Sequence, residues 1–341
     1  MITREGRPES AEAVRERIYA PVADELDQVI LNIGSVAAGR DESQQHPEIE
    51  ARLEHVLSAP GKRVRPAVTL LTQRLWGRLS DERSVNMATA VELLHIATLV
   101  HDDTVDRAAT RRGRATASNL WGGTVAVLLG DYVFASSAIF VCETNSVRLI
   151  KRFAETIAEL ARGELKELVG AWQPSADRDG YYERIYDKTA SLFATAAESG
   201  AVLGEAAEED VQRLRSFGHS LGMAYQVYDD LLDFESTSRT LGKPAEHDLP
   251  SGILTLPAII ALEGGPGRQP LLDYMGAEPS QRPVLLAGTV DAIKSCGALH
   301  EARAVAADFS HKAMSALSVQ RPSQELDCLK ELTAYLLGRR S

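Results

Sequence analysis

The clearest pattern of apolar and polar residues along this chain is helical. Between Arg78 and Arg112 there is neither glycine nor proline, and Ser80 is a residue type that caps helices, with acidic residues directly after it. Positions of one helical face recur along this stretch, at Val91, Leu94, Thr98 and Val105. The stretch is therefore predicted to form one long helix.

A second long helix is predicted to open near Gly204 and to end before the Ser- and Thr-rich stretch 236–240. Its apolar positions recur at helical spacing, at Phe217, Leu221, Tyr225 and Leu232. Strands with alternating apolar and polar residues are hardly to be found. The sequence GGPGRQP, Gly264 to Pro270, is typical of a loop.

The distribution of proline supports a helical protein. Proline is absent for 107 residues between Pro66 and Pro174 and for 69 more before Pro244. Because proline costs about 3 kcal/mol inside a helix, long proline-free stretches rich in Ala, Leu, Glu and Arg favour a mostly helical chain. We predict a single all-α domain over residues 16–341, preceded by a partly ordered N-terminal segment, residues 1–15.

The composition of the chain indicates which binding partners are excluded and in which cellular compartment the protein is expected. The 341 residues include 37 Lys and Arg against 48 Asp and Glu, a formal net charge of −11, which would repel the phosphates of nucleic acid. No nucleic-acid partner is expected. The three cysteines are odd in number and lack metal-site spacing, which is typical of reduced thiols in the cytoplasm.

Membrane insertion is not expected from the sequence. The N-terminus lacks the apolar core of a signal peptide. The longest apolar runs, 124–129 and 259–262, are far shorter than the ~18 residues typical of a membrane span. We therefore expect a cytoplasmic protein without a transmembrane segment, and any membrane contact to be peripheral.

Two acidic motifs carry the sharpest chemical signal. HDDTVD contains Asp102, Asp103 and Asp106, and DDLLD contains Asp229, Asp230 and Asp233. In each motif the first and last aspartates are four residues apart, so on a helix their carboxylates project from one face. Both motifs interrupt apolar sequence, where a cluster of like charges is unfavourable without a cation. Mg²⁺ fits best, because it binds through one or two carboxylates and completes its shell with water and phosphate oxygens.

Such a phosphate site also needs basic residues, and the chain has several. They occur in three motifs: GKRVRP with Lys62, Arg63 and Arg65; RRG with Arg111 and Arg112; and DKTA with Lys188 followed by Thr189. The forked guanidinium of arginine suits phosphate, and lysine supplies a compact charge. Together with the aspartates they indicate a diphosphate held between metal ions and bases.

These residues resemble the trans-type polyprenyl diphosphate synthases, an all-α family of long, mostly antiparallel helices around a central cavity. The matching motifs follow the family's order: GKRVRP, ELLHIATLVHDDTVDRAATRRG, GDYVF, DKTASLF, GMAYQVYDDLLDF and LGKPAEHDLPSGILTLP. The resemblance implies Mg-dependent head-to-tail condensation of isopentenyl diphosphate with an allylic diphosphate, through two or three Mg²⁺ ions bridged by diphosphate. It also implies a homodimer.

The resemblance also implies roles for single residues. The allylic diphosphate would be bound through Mg²⁺ by Asp102, Asp106 and Asp229, with Asp103, Asp230 and Asp233 in support. Its further contacts would be Arg111, Lys188, Thr189, Gln226 and Lys243, of which Lys188 acts with the three leading aspartates in catalysis. Isopentenyl diphosphate would bind to Lys62, Arg65, His95 and Arg112. His101 is interpreted as a residue that either supports the metal ligands or is structural.

Four positions depart from the family's pattern. Ile253 stands where a lysine is common before TLP, and Glu167 stands where a glutamine is common in GExxQ. Pro60 and Glu246 each replace a usual glycine. These departures bear on how substrate is bound and leave the predicted fold unchanged.

The residues before the first aspartate motif predict a long product, of about thirty carbons or more. Short-chain members of the resembling family block the cavity with aromatic side chains four or five residues before the first Asp, where this chain has Thr98 and Ala97. Each helical turn of about 5.4 Å without a bulky side chain admits roughly one more five-carbon unit. Leu94 is the candidate floor one turn lower.

Other functions stay open at this point. The alternative within the family is a short-chain farnesyl or geranylgeranyl diphosphate synthase. An HD-type metal-dependent phosphohydrolase would use His95, His101 and Asp102, but it leaves GKRVRP and DDLLD unexplained. A terpene cyclase normally lacks a second motif like DDLLD, and a non-catalytic partner subunit typically has degenerate aspartate motifs.

Overall fold

The computed structural model describes residues 10–38, 46–76, 81–235, 248–318 and 321–338. These residues are almost entirely helical. In chain order the helices are α1 (Ala11–Tyr19), α2 (Ala23–Ala38), α3 (Pro47–Leu57), α4 (Val64–Arg74), α5 (Glu82–Val105), α6 (Ala117–Trp121), α7 (Gly123–Cys142), α8 (Val147–Gly170), α9 (Arg178–Ile185), α10 (Ser191–Leu203), α11 (Glu208–Glu235), α12 (Leu256–Glu263), α13 (Arg268–Gly276), α14 (Arg282–Ser295), α15 (Ala298–Leu317) and α16 (Gln324–Leu337).

The first predicted long helix is α5, with shorter bounds than expected. It begins at Glu82, where Asp81 and not Ser80 caps it by accepting a hydrogen bond from the main-chain N–H of Ser84. Residues 77–80 lie outside the described residues. At its other end the helix stops at Val105 rather than Arg112, because Arg107 takes a positive φ of 52° and the main-chain N–H of Ala108 donates back to the carbonyl oxygen of Asp103 over 3.0 Å. Residues 110–115 then form a hairpin.

That hairpin joins two strands of two residues each, β1 (Thr110–Arg111) and β2 (Arg114–Ala115), paired antiparallel. Its two-residue loop is Arg112 and Gly113, with φ of 52° and 78°. Two successive residues with positive φ match a type I′ turn, which suits the twist of paired strands. The hairpin interrupts the helix and turns the RRG motif back toward it.

Two further boundaries differ from the predictions. The second predicted helix is α11, which begins at Glu208 and not near Gly204, because α10 continues through Leu203. The loop predicted over Gly264–Pro270 is shorter, since α13 already begins at Arg268 and proline is tolerated in the first turn of a helix.

Packing divides the described chain into two compact units. Taken over the described residues, unit 1 falls within Met1–Ala154, Thr195–Gln212 and Gln320–Leu329, and unit 2 within Glu155–Ala194, Arg213–Val319 and Lys330–Ser341. One domain over residues 16–341 stays a prediction. The partly ordered segment 1–15 also stays a prediction, and α1 begins within it at Ala11.

Unit 1 is built around α5, which packs along α7 and against α2 and α4. Its largest fully buried side chains include Leu70, Leu71, Met87 and Leu93. Unit 2 has its own apolar core, in which α12 packs against α13 and α15 and α13 packs against α14. Phe234, Leu256 and Tyr274 are buried in that core. Each unit thus gives its share of the candidate residues a rigid base.

One described helix, α7, is long and apolar enough to cross a membrane by length and composition. It packs along α5 and against α6 in unit 1, and its Leu129, Val133 and Phe140 are buried there. A core helix of a globular protein meets the same criterion, so α7 is weak evidence for a membrane span.

Candidate active site

The first aspartate motif lies at the C-terminal end of α5. The main-chain N–H of Asp106 donates to the carbonyl oxygen of Asp102 over 2.8 Å, which places the two residues one helical turn apart. Asp102 is half-buried and Asp106 is exposed. The C-terminal end of a helix carries partial negative charge, so carboxylates there are unfavourable unless a cation compensates them. The local field therefore favours a cation at this motif.

The remaining aspartate of the motif, Asp103, faces the hairpin. Its Oδ1 accepts a hydrogen bond from Nε of Arg111 over 2.6 Å, and Asp103 is buried. This ion pair ties β1 to the end of α5. The predicted metal ligand Asp103 and the predicted diphosphate ligand Arg111 thus lie together, bonded to one another.

A cluster of arginines surrounds His95 on α5. A small cavity of about 80 Å³ is lined by residues from α3, α5, the segment before α4 and the hairpin, among them Arg63, His95, Arg111 and Arg112. Arg112 donates to the carbonyl oxygen of Pro60. Two of the bases predicted for isopentenyl diphosphate, His95 and Arg112, line this cavity.

The cluster keeps His95 neutral. Burial, together with the positive charges of Arg65 and Arg112 and of two further arginines, lowers the pKa of His95 well below its usual value. A neutral imidazole can still donate one hydrogen bond to an anion. The surplus of guanidinium groups around it favours binding of a phosphate or diphosphate.

The loop that carries Lys62 is held from two sides. The Tyr19 hydroxyl donates to the carbonyl oxygen of Lys62 over 2.8 Å. The next residue, Arg63, has φ of 49° and donates to the buried carboxylate of Glu92 over 2.6 Å. Since Arg63 is the N-cap of α4, this pair fixes where α4 begins and with it the position of Arg65.

Three residues of this site were missed by reasoning from the sequence, namely Glu92, His55 and Arg114, because none of them lies in a motif that points to phosphate. Arg63 was named there as a phosphate-binding base, without an assignment to either substrate. His55 contacts the carbonyl oxygen of Ala115 over 3.0 Å and the guanidinium of Arg114 over 3.1 Å, so it supports the hairpin.

The second aspartate motif lies near the C-terminal end of α11. Asp230 is buried, and it accepts hydrogen bonds from the Tyr181 hydroxyl over 2.6 Å and from the Gln226 amide over 2.8 Å. Burial raises the pKa of Asp230 to about 6 despite these bonds. Asp229 and Asp233 are half-buried. Two side-chain hydrogen bonds thus hold the Asp230 carboxylate.

Negative charge is crowded around this motif. Burial and the neighbouring carboxylates of Asp230 and Asp233 raise the pKa of Asp248 well above its usual value. Such crowding is costly at neutral pH. It favours a cation at DDLLD for the same reason as at the first motif.

A hydrogen-bonded chain joins two predicted allylic ligands to DDLLD. The Thr189 hydroxyl donates to the Gln226 side-chain oxygen over 2.6 Å, and the Gln226 amide donates to Asp230. Thr189 and Gln226 are therefore brought together with the second motif, as the resemblance implies.

Lys188 lies one residue before Thr189, and two glutamates of α8 hold its ammonium. The Nζ atom lies 3.0 Å from Glu164 and 2.5 Å from Glu167. Glu167 is the residue that departs from the family's glutamine, so the departure adds a negative charge directly against Lys188.

The remaining predicted residues are placed as follows. Lys243 and Glu246 lie outside the described residues. Ile253 donates its main-chain N–H to the carbonyl oxygen of Asp248 over 3.0 Å, and nothing in this contact replaces a lysine charge. His101 lies between α5 and α7 against Gly130, where it contacts the carbonyl oxygen of Val127 over 3.2 Å. The role interpreted for His101 stays a prediction.

The residues predicted to set chain length lie on α5. Leu94 and Ala97 are fully buried and Thr98 is half-buried, with its hydroxyl donating to the carbonyl oxygen of His95 over 2.8 Å. Over the part of the chain that the structure describes, no three His, Cys, Asp or Glu side chains form a ready-made metal site.

Comparison with known proteins identifies the family. The family model described as polyprenyl synthetase matches residues 46–287. The chain belongs to this family. It is 35% identical over 324 residues to a prenyl transferase of Synechocystis sp., covering 94% of this chain and 98% of that protein. It is 33% identical over 265 residues to octaprenyl diphosphate synthase of Escherichia coli, covering 78% of this chain and 82% of that protein.

A solved structure of the same family has the same fold. The polyprenyl synthase from Caulobacter crescentus CB15, complexed with calcium and isoprenyl diphosphate, matches with a TM-score of 0.87 and 33% identity, over 98% of this chain and all of that chain. The predicted all-α fold and the predicted trans-prenyltransferase class are confirmed. The solanesyl, heptaprenyl and octaprenyl diphosphate synthases among the relatives agree with the predicted polyprenyl diphosphate synthase and not with the short-chain or HD-type alternatives.

Proposed function

We propose that this polyprenyl synthetase lengthens an allylic diphosphate by repeated head-to-tail condensation with isopentenyl diphosphate, to a product of about thirty carbons or more. The observation that carries the proposal is one face of α5. His95 and Asp102 are seven residues apart, so they share a face about 10 Å apart along the helix. One helix face therefore offers an arginine-rich anion site beside a carboxylate-rich cation site, which suits two diphosphates bound differently.

The carboxylates fit Mg²⁺. Asp102 and Asp106 are hard oxygen donors one turn apart, and Asp229 and Asp233 repeat the spacing on α11. We propose that both motifs hold the allylic diphosphate through two or three Mg²⁺ ions, with Asp103 and Asp230 in support. When bound, Mg²⁺ supplies charge stabilisation for the departing diphosphate.

The protein's own side chains bind and orient the two substrates. Lys62, Arg65, His95 and Arg112 bind the diphosphate of isopentenyl diphosphate. Arg111, Lys188, Thr189, Gln226 and Lys243 contact the allylic diphosphate. The bond from the allylic carbon to its diphosphate breaks, the alkene of isopentenyl diphosphate attacks that carbon, and a proton leaves the new chain. Once bound to the diphosphate, these donors stabilise the charge that develops as it departs.

The decisive experiment tests condensation directly. The purified protein is incubated with Mg²⁺, isopentenyl diphosphate and, in separate reactions, dimethylallyl, geranyl or farnesyl diphosphate, and the products are sized by chromatography. We expect products of about thirty carbons or more from at least one primer. Absence of any elongated product, or release of inorganic phosphate from nucleotides instead, would refute the proposal.

Removing one carboxylate from either motif tests the metal site. We expect Asp102→Ala and Asp229→Ala each to lower turnover roughly a thousandfold or more with the helical circular dichroism unchanged, because each removes a metal ligand. Chelation by EDTA is expected to mimic both variants. Asp308→Ala is the control, since Asp308 is exposed on α15 and pairs only with Lys312 among the contacts described. Wild-type turnover in both site variants would contradict the assignment.

The homodimer and the cytoplasmic location are further parts of the proposal. Three apolar side chains on one side of α7 are exposed, namely Leu128, Tyr132 and Ile139, at 62%, 44% and 41%. Their spacing places them on one helical stripe, and covering such a stripe by a second copy removes apolar surface from water. Sedimentation velocity of the purified chain measures the oligomeric state.

A further inference from the structure

Lys188 lies in an unusual stretch of backbone. Residues Tyr186–Ala190 form a single π-helical turn between α9 and α10. π-Helical turns are rare, and they occur mostly as isolated turns at functional sites. One extra residue in a turn changes the direction of every side chain that follows. The position of the Lys188 ammonium therefore depends on what holds this turn in register.

An ion pair between a buried carboxylate and an arginine at the surface holds the turn from the residue before Lys188. Asp187 is 2% exposed, and Arg162 of α8 grips its carboxylate with two hydrogen bonds, from Nε over 2.8 Å and from Nη2 over 2.6 Å. Lys166, one turn along α8, lies 3.0 Å from the same carboxylate. Burial alone would raise the pKa of Asp187, but hydrogen bonding from Arg162 and Lys166 outweighs burial and lowers this pKa. The carboxylate is therefore charged and fixed.

The backbone of α8 touches the same turn. A Cβ placed on Gly163 would lie 2.6 Å from the main-chain nitrogen of Lys188, closer than any side chain tolerates. Arg162 is the residue directly before this contact, and Glu164 is the residue directly after it. The two residues that flank Gly163 on α8 thus bind the turn with opposite charges: Arg162 binds the Asp187 carboxylate, and Glu164 binds the Lys188 ammonium.

We infer that Arg162 is a positioning residue for Lys188, acting through Asp187. The forked guanidinium fixes both the distance and the orientation of the Asp187 carboxylate. If the turn slipped by one residue, the side chain of Lys188 would rotate by about 100° and leave Glu164 and Glu167. The inference rests on the proposed function, because it concerns the allylic diphosphate that Lys188 is proposed to bind.

The first test separates the two substrates. In Arg162→Ala we expect the Michaelis constant for the allylic diphosphate to rise roughly tenfold while that for isopentenyl diphosphate stays within about twofold. Arg162→Lys retains a charge but cannot form the fork, so we expect an intermediate value. Arg148→Ala is the matched control, because Arg148 of α8 makes an equally forked ion pair with Glu208, away from the π-helical turn. It is expected to leave both constants unchanged.

The second test asks whether Arg162 acts through Lys188. In a Lys188→Ala background, Arg162→Ala is expected to add no further rise in the allylic Michaelis constant. Additive effects of the two substitutions would overturn the inference, since they would mean that Arg162 acts on its own. A rise for both substrates in Arg162→Ala alone would overturn it as well.

A third measurement does not depend on activity. Hydrogen exchange followed by mass spectrometry is expected to show faster exchange at residues 186–190 in Arg162→Ala than in Arg148→Ala. Equal exchange in the two variants would overturn the inference. If the wild-type protein fails to condense any allylic primer, the proposed function fails, and the exchange measurement still decides whether Arg162 holds the turn.

Discussion

Several side chains proposed to bind substrate are bonded to partners within the protein. Lys188 pairs with Glu167, Arg111 pairs with Asp103, and Thr189 donates to Gln226. Buried charges and donors are unfavourable without such partners. On the proposed function, binding of a diphosphate and its metal ions would exchange one set of charge pairs for another. The exchange keeps the site ordered before substrate arrives and limits the net gain from any single contact.

His95 gives a prediction for the pH dependence of stability. Its pKa in the folded protein is lowered by burial and by neighbouring arginines, so below about pH 6.5 the unfolded chain binds a proton that the folded protein does not. Folding stability therefore falls as the pH drops below that value, by at most about 1.4 kcal/mol for each pH unit, and is unaffected above it. We expect His95→Asn to flatten this fall in urea unfolding measured between pH 5 and pH 7.

The matched control for this prediction is His300→Asn, because His300 is exposed on α15. The His300→Asn variant is expected to lose folding stability between pH 7 and pH 5 as steeply as the wild type. An equally steep loss of stability toward pH 5 in His95→Asn would show that other groups carry the dependence.

At the scale of elements, the sequence predicted the helices better than their ends. Periodicity and the lack of proline indicated α5 and α11, and both exist. The end of α5 was predicted at Arg112, because the stretch up to Arg112 contains neither glycine nor proline. The helix ends earlier because Arg107 takes a positive φ, which its residue type does not predict. Arg112 and Gly113 then turn the chain back, and contacts from α3 and the loop before α4 stabilise that turn.

The sequence predicted only those parts of the candidate site whose residues lie close together along the chain. Spacing of four residues is enough to place Asp102 beside Asp106, since the helix itself sets their geometry. The partners of the site come from distant parts of the chain. Tyr181 lies 49 residues from Asp230, and Arg162 lies 25 residues from Asp187, so neither pairing leaves a periodic signal.

The contact between α5 and α7 gives a prediction at this scale. A Cβ on Gly130 would overlap the imidazole of His101, next to the first aspartate motif. We expect Gly130→Ala to destabilise the protein by about 1–3 kcal/mol, because the imidazole must move within a packed interface. We also expect lower turnover, because His101 directly precedes Asp102. Chemical denaturation and the condensation assay measure the two effects.

Gly34→Ala is the control for this substitution. Gly34 lies on α2, and a Cβ there would meet nothing within 4 Å. Alanine in an open helical position is expected to leave stability unchanged or raise it by up to about 1 kcal/mol. If Gly130→Ala behaves like Gly34→Ala, the close approach of α5 and α7 does not constrain the motif.

At the scale of the whole molecule, the two units differ in the charges of the candidate residues that they contain. Unit 1 holds the arginine cluster around His95 together with the first aspartate motif. Unit 2 holds the second motif, where burial and neighbouring carboxylates raise the pKa of Asp230 and Asp248 and Lys188 pairs with glutamates. A net charge of −11 is therefore not spread evenly over the candidate residues, and the proposed anion site is compatible with an acidic protein because its cations are concentrated locally.

The length of the product is the property that depends most on the interior of the molecule. Two small residues, Ala97 and Thr98, precede the first aspartate motif on α5, and Leu94 lies one turn further back. Ala97 is fully buried, so a phenylalanine there must also displace its neighbours, whereas Thr98 is half-buried and leaves more room.

We expect Thr98→Phe to turn over and to release shorter products than the parent, and Ala97→Phe to do the same with a lower melting temperature. Thr98→Val removes the hydroxyl without adding bulk and is expected to keep the parent's product length. Chromatographic sizing of the products decides the matter: a parent that stops at fifteen or twenty carbons, or aromatic variants that make products as long as the parent's, would show that these residues do not set the length.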